Sequence, residues 1–294
     1  MGKMDVYEIV TQRIIKKLEE GIAPWQKPWA GGGAPANFIT KRPYRGFNSI
    51  ALSPIITGFR SRYWGTYNQI SGKGGQVRRG EKSTPIVFWK FWEQEQDGEK
   101  SKRFIVRYFS AFNLEQQDGI EVADGEKFAW NPIEKAESIV SSWNGPTVKH
   151  GGVRACYAPA VDIVTVPERS SFAHGEDYFG TLFHEMAHST GHASRLNRSG
   201  ITDPSFFGSH TYSKEELIAE MGAAFLCAES GIIDSTLDNS AAYLQCWLGK
   251  LKQDPKMLVH AASAAQKAVD MILGRKADAP QESESEVEVE AVAA

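Results

Sequence analysis

Long hydrophobic runs and paired cysteines are missing from this sequence of 294 residues. No run of about 18 apolar residues occurs, which argues against a membrane-spanning helix, and the segment from Met1 to Asp5 lacks the apolar stretch of a secretory signal. We therefore expect a cytoplasmic protein with no membrane partner. The three cysteines, Cys156, Cys227 and Cys246, are widely spaced and odd in number. They argue against both a disulfide framework and a thiolate zinc site.

Histidine is also scarce, with seven residues in the chain, yet two of them occur in the pattern His184-Glu185-Met186-Ala187-His188. Histidines four positions apart lie on one face of a helix, where both imidazoles can reach one metal ion. A glutamate directly after the first histidine is placed to act as the general base of a metallopeptidase. The spacing predicts His184 and His188 as metal ligands and Glu185 as the catalytic residue. The alternative is a chance match on an amphipathic helix.

A catalytic zinc ion takes three protein ligands and leaves one position open, so one more ligand is needed. A metzincin would supply a histidine ten positions after the first, but that position is Ser194. Glu216 and Glu220 offer another solution, because they lie four apart on one face of an otherwise apolar helix. One of them would bind the metal, and the other would accept a ring N–H from a ligand histidine. A helix-capping role for Glu216, paired with Ser213, is a further alternative.

The order Glu216-x-x-Ala219-Glu220 resembles the corresponding helix of several zincins with a glutamate ligand, in which the first acid binds the metal. This resemblance favours Glu216 as the third ligand and Glu220 as the outer partner, although the reverse assignment stays open. We expect Zn²⁺, with Mn²⁺ as the alternative. Tyr212 and His210 are candidates for stabilising an oxyanion.

The net charge of −3 hides a strong asymmetry along the chain. Residues 1–110 contain 19 basic and 9 acidic residues, a net charge of +10, whereas residues 111–294 contain 14 and 27, a net charge of −13. A basic half beside an acidic half is typical of a protein in which one part binds a polyanion.

The basic half also holds five of the eight tryptophans, interleaved with arginine and lysine. Single-stranded nucleic acid is bound by this combination, since cations follow the phosphates and aromatic faces stack on bases. The alternative is that the aromatic residues build a small β core and the cations form a solvated face. The candidate DNA-binding residues are Trp25, Trp29, Arg42, Tyr44, Arg45, Trp64, Arg78, Arg79 and Lys82.

Hydrophobic periodicity and turn residues predict an α+β protein with two domains. Helices are expected over 4–20, 132–143, 176–191, 212–227, 239–251 and 256–273, and β-hairpins over 84–109 and 154–167. We expect a small basic α+β DNA-binding domain at 1–125 and a connection at 126–150. A mainly helical metallopeptidase domain with a short β-sheet would follow at 151–276, and then a disordered acidic tail at 277–294.

The motifs together resemble the antirestriction proteins of the ArdC type. The N-terminal part of the resemblance is carried by Tyr44-Arg45-Gly46-Phe47-Asn48, Trp64-Gly65-Thr66-Tyr67-Asn68-Gln69-Ile70 and Gly74-Gly75-Gln76-Val77-Arg78-Arg79-Gly80-Glu81, and the C-terminal part by the metal helix, Arg195-Leu196 and the segment 215–220. The resemblance implies a single-stranded-DNA-binding domain followed by a zincin-like metallopeptidase domain. It also implies a role in shielding incoming plasmid DNA from host restriction endonucleases during conjugation.

Two other functions fit the same motifs. The first is a protease that cuts proteins bound on DNA, as the related Spartan proteases do. The second is a DNA-binding protein whose zincin domain is structural and inactive.

Overall fold

The computed structural model describes residues 6–24, 34–96, 99–121, 132–203, 210–232, 241–254 and 256–275. Helices and strands of both halves occur in these ranges, so the expected α+β class is confirmed. Within the described ranges, no helix is both long enough and apolar enough to cross a membrane. The proposed acidic tail, residues 277–294, lies outside them, as do Trp25 and Trp29.

The N-terminal half is built on a mixed four-stranded sheet with the strand order β1-β2-β5-β4. Strand β1 pairs in parallel with β2, and the other two pairings are antiparallel. A small second sheet pairs β3 with β6. The strands are β1 (Ala36–Asn37), β2 (Tyr63–Thr66), β3 (Gln76–Val77), β4 (Thr84–Gln96), β5 (Glu99–Asn113) and β6 (Gln117–Asp118).

Strands β4 and β5 form the predicted hairpin, but it is longer than the apolar runs suggested. Its register continues to Gln96 opposite Glu99, past the aromatic residues. In this outer part the register sets Glu93 opposite Lys102, and two residues further on it sets an acidic residue opposite Lys100. The paired backbone of the hairpin therefore continues into a polar segment that the apolar pattern of the sequence did not include.

The described part of this half contains four helices, α1 (Val6–Glu19), α2 (Phe47–Ala51), α3 (Pro54–Thr57) and α4 (Tyr67–Gly72). Helix α1 confirms the predicted opening helix. Helix α4 begins with a capping box in which Thr66 accepts the backbone N–H of Gln69 and the Gln69 side chain returns to the backbone N–H of Thr66. The start of α4 is therefore fixed in position beside the end of β2.

The C-terminal half combines a three-stranded sheet with helices. Strands β7 (Thr147–His150), β8 (Cys156–Ala158) and β9 (Ile163–Val166) are ordered β7-β9-β8, and the antiparallel β8–β9 pair confirms the second predicted hairpin. The parallel partner β7 was not predicted. The helices are α5 (Pro132–Ser142), α6 (Gly175–Ser189), α7 (Ser199–Thr202), α8 (His210–Ser230), α9 (Ala241–Gln253) and α10 (Met257–Ile272).

The largest hydrophobic cluster crosses the expected domain boundary. It joins Ile14 of α1 and Ile50 of α2 with Phe183 of α6 and Leu258 of α10, all of them fully buried. Helix α1 packs against α9, at the far end of the sequence. The boundary near residue 125 stays a prediction, and the two sequence halves share this core.

Two of the proposed DNA-binding aromatic residues belong to a smaller N-terminal core. Trp64 is fully buried, with Phe59 packed edge-on at a centroid distance of 5.7 Å, and Tyr44 lies in the same cluster. Neither ring offers a free face for a base to stack on, so the prediction that these two residues bind DNA is wrong. The reason is that both rings belong to a hydrophobic cluster with Leu52, Ile86 and Ala111.

Candidate metal centre and nucleic-acid surface

Helix α6 places the two motif histidines side by side, and α8 brings Glu216 against them. The Nε2 atoms of His184 and His188 are 3.1 Å apart. The Glu216 carboxylate oxygens lie 3.6 Å from each of these nitrogens. One ligand atom from each of the three residues falls within 4.8 Å of the other two. This arrangement brings together the three ligands that the sequence predicted.

These separations suit a divalent metal ion. Ligand atoms about 2.0–2.1 Å from a tetrahedral ion lie roughly 3.3–3.4 Å from one another, close to the observed 3.1 and 3.6 Å. The side chains of His184, His188 and Glu216 are 23%, 11% and 28% exposed. Because solvent reaches all three, the cluster has the open side that distinguishes a catalytic metal site from a closed structural one.

Carboxylates surround His184 and shape its charge. Burial lowers the pKa of this imidazole, but Glu216, Glu185 and Glu220 together outweigh burial and raise the pKa above its ordinary value. A positive charge is therefore favoured at this point, whether it is a proton or a metal ion. Because Glu220 contributes to raising the pKa of His184, its carboxylate lies near the metal centre. Its predicted role as a hydrogen-bond acceptor for a ligand histidine stays a prediction.

Glu185 is nearly buried, with 8% of its surface exposed. Among the described residues it has no hydrogen-bond or ion-pair partner. Its carboxylate oxygens are not among the fully buried polar atoms that lack a hydrogen-bond partner, so a water molecule can reach them. The position directly beside the metal ligands supports the predicted catalytic role.

Glu215 was missed by sequence reasoning and positions one of the ligands. It is 3% exposed, and its Oε1 lies 3.3 Å from Nδ1 of His188. A proton on Nδ1 can be donated to this carboxylate, which leaves the Nε2 lone pair free for a metal. For His188 the outer carboxylate is thus Glu215 rather than Glu220. The four-residue spacing of Glu216 and Glu220 gives no signal for Glu215, which directly precedes Glu216.

Arg198 holds Glu215 in place. Its guanidinium donates to both carboxylate oxygens, at 2.9 and 2.6 Å, and also to the backbone oxygen of Ala187 at 2.8 Å and the hydroxyl of Thr190 at 2.7 Å. Burial raises the pKa of Glu215, but hydrogen bonds from Arg198 and His188 outweigh burial and lower it. The carboxylate of Glu215 is therefore charged. Through its contacts with Arg198 and His188, it connects the loop after α6 to a metal ligand.

A second arginine joins this loop to the β8–β9 hairpin. Arg195 pairs with both oxygens of Asp162, donates to the Tyr157 hydroxyl at 3.1 Å and donates to the backbone oxygen of Ser189 at 2.7 Å. Asp162 occupies the hairpin turn with a positive φ of 51°. The contact holds β8, one of the two outer strands of its sheet within the described residues, at a fixed place relative to α6.

In the loop after α6, His192 hydrogen-bonds through Nδ1 at 2.8 Å to Ser194, the position at which a metzincin would have its third histidine. The side chains of His210 and Tyr212 lie outside the described residues, so their proposed role as oxyanion donors stays a prediction.

The basic residues of the N-terminal half are used in different ways. Arg42, Arg79 and Lys82 are exposed, as a DNA-binding role requires. Arg45 instead forms an ion pair with Asp270 of α10, and Arg78 pairs with Glu81 and Asp118. These last two arginines join parts of the fold, which sequence composition could not reveal.

Comparison with known proteins agrees with both halves. Residues 4–113 match the N-terminal domain of anti-restriction factor ArdC, and residues 134–264 match the zincin-like metallopeptidase family MPTase-PolyVal. The metal-free crystal structure of the antirestriction protein ArdC from plasmid R388 is 35% identical, with a TM-score of 0.73. The match covers 92% of this chain and 97% of that one.

The chain belongs to the ArdC family of antirestriction proteins. The Mn(II)-bound structure of the R388 protein is equally similar, with 36% identity, a TM-score of 0.73 and coverage of 92% and 98% of the two chains. This zincin-like domain implies a divalent metal, and the His184–His188–Glu216 cluster fits one.

Two DNA primases TraC from Escherichia coli are also related. One is 36% identical over 98% of this chain, and the other is 37% identical over 92%. The chain spans only 29% and 20% of their respective lengths. It therefore corresponds to one segment of these larger proteins.

Proposed function

We propose that the chain binds single-stranded DNA through its basic N-terminal half and protects incoming plasmid DNA from host restriction endonucleases in the cytoplasm. Membership of the ArdC family carries this proposal. The net charge of +10 over residues 1–110 supports it, because cationic surfaces bind the phosphate backbone of DNA.

We further propose that α6 and α8 form a metal-dependent peptidase site. The observation that carries this part is the convergence of His184, His188 and Glu216, with Glu185 directly after the first of these ligands. Zn²⁺ or Mn²⁺ held by His184, His188 and Glu216 would supply Lewis acidity toward a peptide carbonyl. Glu185 takes a proton from the attacking water at its carboxylate and later gives it to the leaving amine.

The outer strand β8 is the natural place for a peptide substrate. It pairs with β9 on one side and is the last strand of its sheet within the described residues. An extended peptide can add to such an edge through backbone hydrogen bonds, which tolerate many side-chain sequences. Arg195 fixes the distance between this edge and α6 through Asp162 and Tyr157.

Plasmid transfer into restriction-proficient and restriction-deficient recipients tests the two activities. The wild-type protein should raise transfer into the restricting host. We expect Glu185→Gln to keep this protection and to lose proteolysis, since the substitution leaves the three metal ligands in place. Equal transfer into the restricting host with and without the wild-type protein would contradict the antirestriction function.

The same experiment addresses the alternative of a protease acting on DNA-bound proteins. The charge asymmetry is compatible with that function, because the basic half would place the peptidase on DNA. Loss of protection in Glu185→Gln, with single-stranded-DNA affinity unchanged, would favour it. A third outcome, in which the wild-type protein protects DNA but cleaves no protein bound on it, would favour an inactive zincin domain.

A further inference from the structure

An open cleft of about 580 Å³ lies in the N-terminal half, between the start of α4 and the small β3–β6 sheet. Its apolar lining consists of Tyr67, Val77 and Phe112. Val77 and Phe112 are half-buried and pack against the small hydrophobic cluster that contains Ile70. Tyr67 is 49% exposed. The cleft is thus apolar in its deeper part and carries one accessible aromatic ring.

The position of Tyr67 is rigid although its ring is accessible. It is the first residue of α4, directly after Thr66, whose capping box with Gln69 fixes the helix start. Within the described residues the tyrosine hydroxyl has no hydrogen-bond partner. An exposed ring on a fixed backbone loses little conformational entropy when a planar ligand stacks on it.

The charged residues of the cleft leave one cation available. Arg78 is paired with Glu81 at 3.1 Å and with Asp118 at 3.2 Å, so these two carboxylates are already compensated. Glu81 also accepts a hydrogen bond from Gln116 at 3.0 Å. Arg79 is exposed and has no acidic partner within the described part of the chain.

We propose that this cleft holds a nucleotide of single-stranded DNA, with its base on Tyr67 and its phosphate on Arg79. This inference rests on the proposed single-stranded-DNA function and names the place where binding occurs. An aromatic ring beside an unpaired cation is suited to a ligand with a flat apolar face and a negative charge. The cleft volume falls in the range of about 300–1,000 Å³ that small-ligand sites occupy. A paired base cannot present its face in this way, so duplex DNA should bind more weakly.

The affinity of the full chain for fluorescein-labelled oligothymidylate, measured by fluorescence anisotropy, tests the stacking contact. Tyr67→Ala should weaken binding about fivefold or more, and Tyr67→Phe should bind like the wild-type protein, because stacking is retained. Tyr108→Ala is the matched control, since Tyr108 is an exposed tyrosine of the same half outside the cleft lining. It should bind like the wild-type protein.

The phosphate contact is tested by salt dependence. Arg79→Ala should lower the slope of log affinity against log salt concentration by about 0.7, the value for one phosphate on a single strand. Arg60→Ala removes an equal charge at an exposed position outside the cleft lining, and its slope should stay closer to that of the wild-type protein. Equal slopes for the two variants would overturn the phosphate contact.

Photo-crosslinking with oligothymidylate that contains 5-iodouracil locates the base directly. We expect the adduct on the peptide that contains Tyr67, and competition by free thymidine monophosphate should be weak. Normal binding by Tyr67→Ala and Arg79→Ala overturns the cleft but leaves DNA binding intact. Absence of oligothymidylate binding by the wild-type protein overturns the proposed function itself. Tight binding of the free nucleotide would instead indicate a small-molecule site.

Discussion

The metal centre on α6 and the cleft beside α4 both contain arginines next to carboxylates, but the arginines serve different purposes. The N–H groups of Arg198 donate to Glu215 and to a backbone oxygen of α6. Glu215 in turn fixes the position of the His188 ring. In the cleft Arg78 is also bound to carboxylates, whereas Arg79 is exposed and has no acidic partner among the residues that the structure describes. The ligands of the metal centre are held in position by buried contacts. In the cleft, the guanidinium of Arg79 and the ring of Tyr67 are exposed to solvent.

This difference follows from the ligand that each site binds. A metal ion needs ligands at set distances, so the side chains around it must be held by neighbours. Single-stranded DNA is flexible and is bound through stacking and charge, which need accessible groups more than rigid ones. Substitutions should accordingly act on metal affinity at one site, on DNA affinity at the other, and on stability in the cores between them.

The largest expected effect concerns the N-terminal core. Trp64→Ala should lower the free energy of unfolding by about 3–5 kcal/mol, because a fully buried indole is removed and leaves a cavity. Chemical denaturation measures this directly, with Tyr67→Ala as the control that should change stability little. If Trp64→Ala were as stable as the wild-type protein but bound DNA weakly, Trp64 would be a base-stacking residue and not a core residue.

The next effect concerns the third metal ligand. Glu216→Ala should lower the affinity for zinc or manganese more than about 100-fold, since loss of a ligand exceeds the effect of losing an outer partner. Isothermal titration calorimetry on metal-free protein measures it. Glu220→Gln should change the affinity less. If Glu220→Gln lowered the metal affinity more than Glu216→Ala did, Glu220 would be the ligand.

A smaller loss is expected when the partner of His188 is altered. Glu215→Gln should lower metal affinity about 10- to 100-fold, because a neutral amide orients the imidazole less firmly. The matched control is Glu137→Gln, which changes an exposed carboxylate paired with Arg169. Unchanged metal affinity in folded Glu215→Gln would show that His188 needs no such partner.

The smallest effect concerns the contact between the hairpin and the loop after α6. Arg195 lowers the pKa of Asp162 to about 2, from an ordinary value of 3.8. The stabilisation should therefore be present above about pH 4 and disappear as the pH falls toward 2. Asp162→Asn, which tolerates the positive φ, should cost at most about 1 kcal/mol at neutral pH.

Thermal unfolding of wild-type and Asp162→Asn protein as a function of pH provides the measurement. The difference between the two should shrink on acidification across that interval. A difference that stays constant down to about pH 2 would mean that the charge of Asp162 does not contribute.

The two sites also differ in how far the sequence predicted them. Helix geometry alone sets His184 beside His188, and the four-residue spacing drew attention to the helix that carries Glu216. Glu215 could not be foreseen, because its partner Arg198 comes from a loop whose path depends on packing. The overall class, the hairpins and the opening helix followed from periodicity.

Trp64 and Tyr67 show why the DNA-binding residues were harder. They are three positions apart in one motif, yet the first is fully buried and the second is half exposed. Trp64 is buried by the hydrophobic cluster that includes Leu52 and Ile86, whereas Tyr67 is the first residue of α4. Composition treats the two rings alike, and only the tertiary structure separates them.

The separation of the two sites is tested most directly by the affinity of the wild-type protein for oligothymidylate, with zinc bound and after its removal by a chelator. We expect the two dissociation constants to agree within about twofold, as for sites that share no residues, since none of the residues lining the cleft belongs to α6 or α8. A loss of affinity for oligothymidylate of about fivefold or more on metal removal, with the circular dichroism spectrum unchanged, would contradict the independence of the two sites.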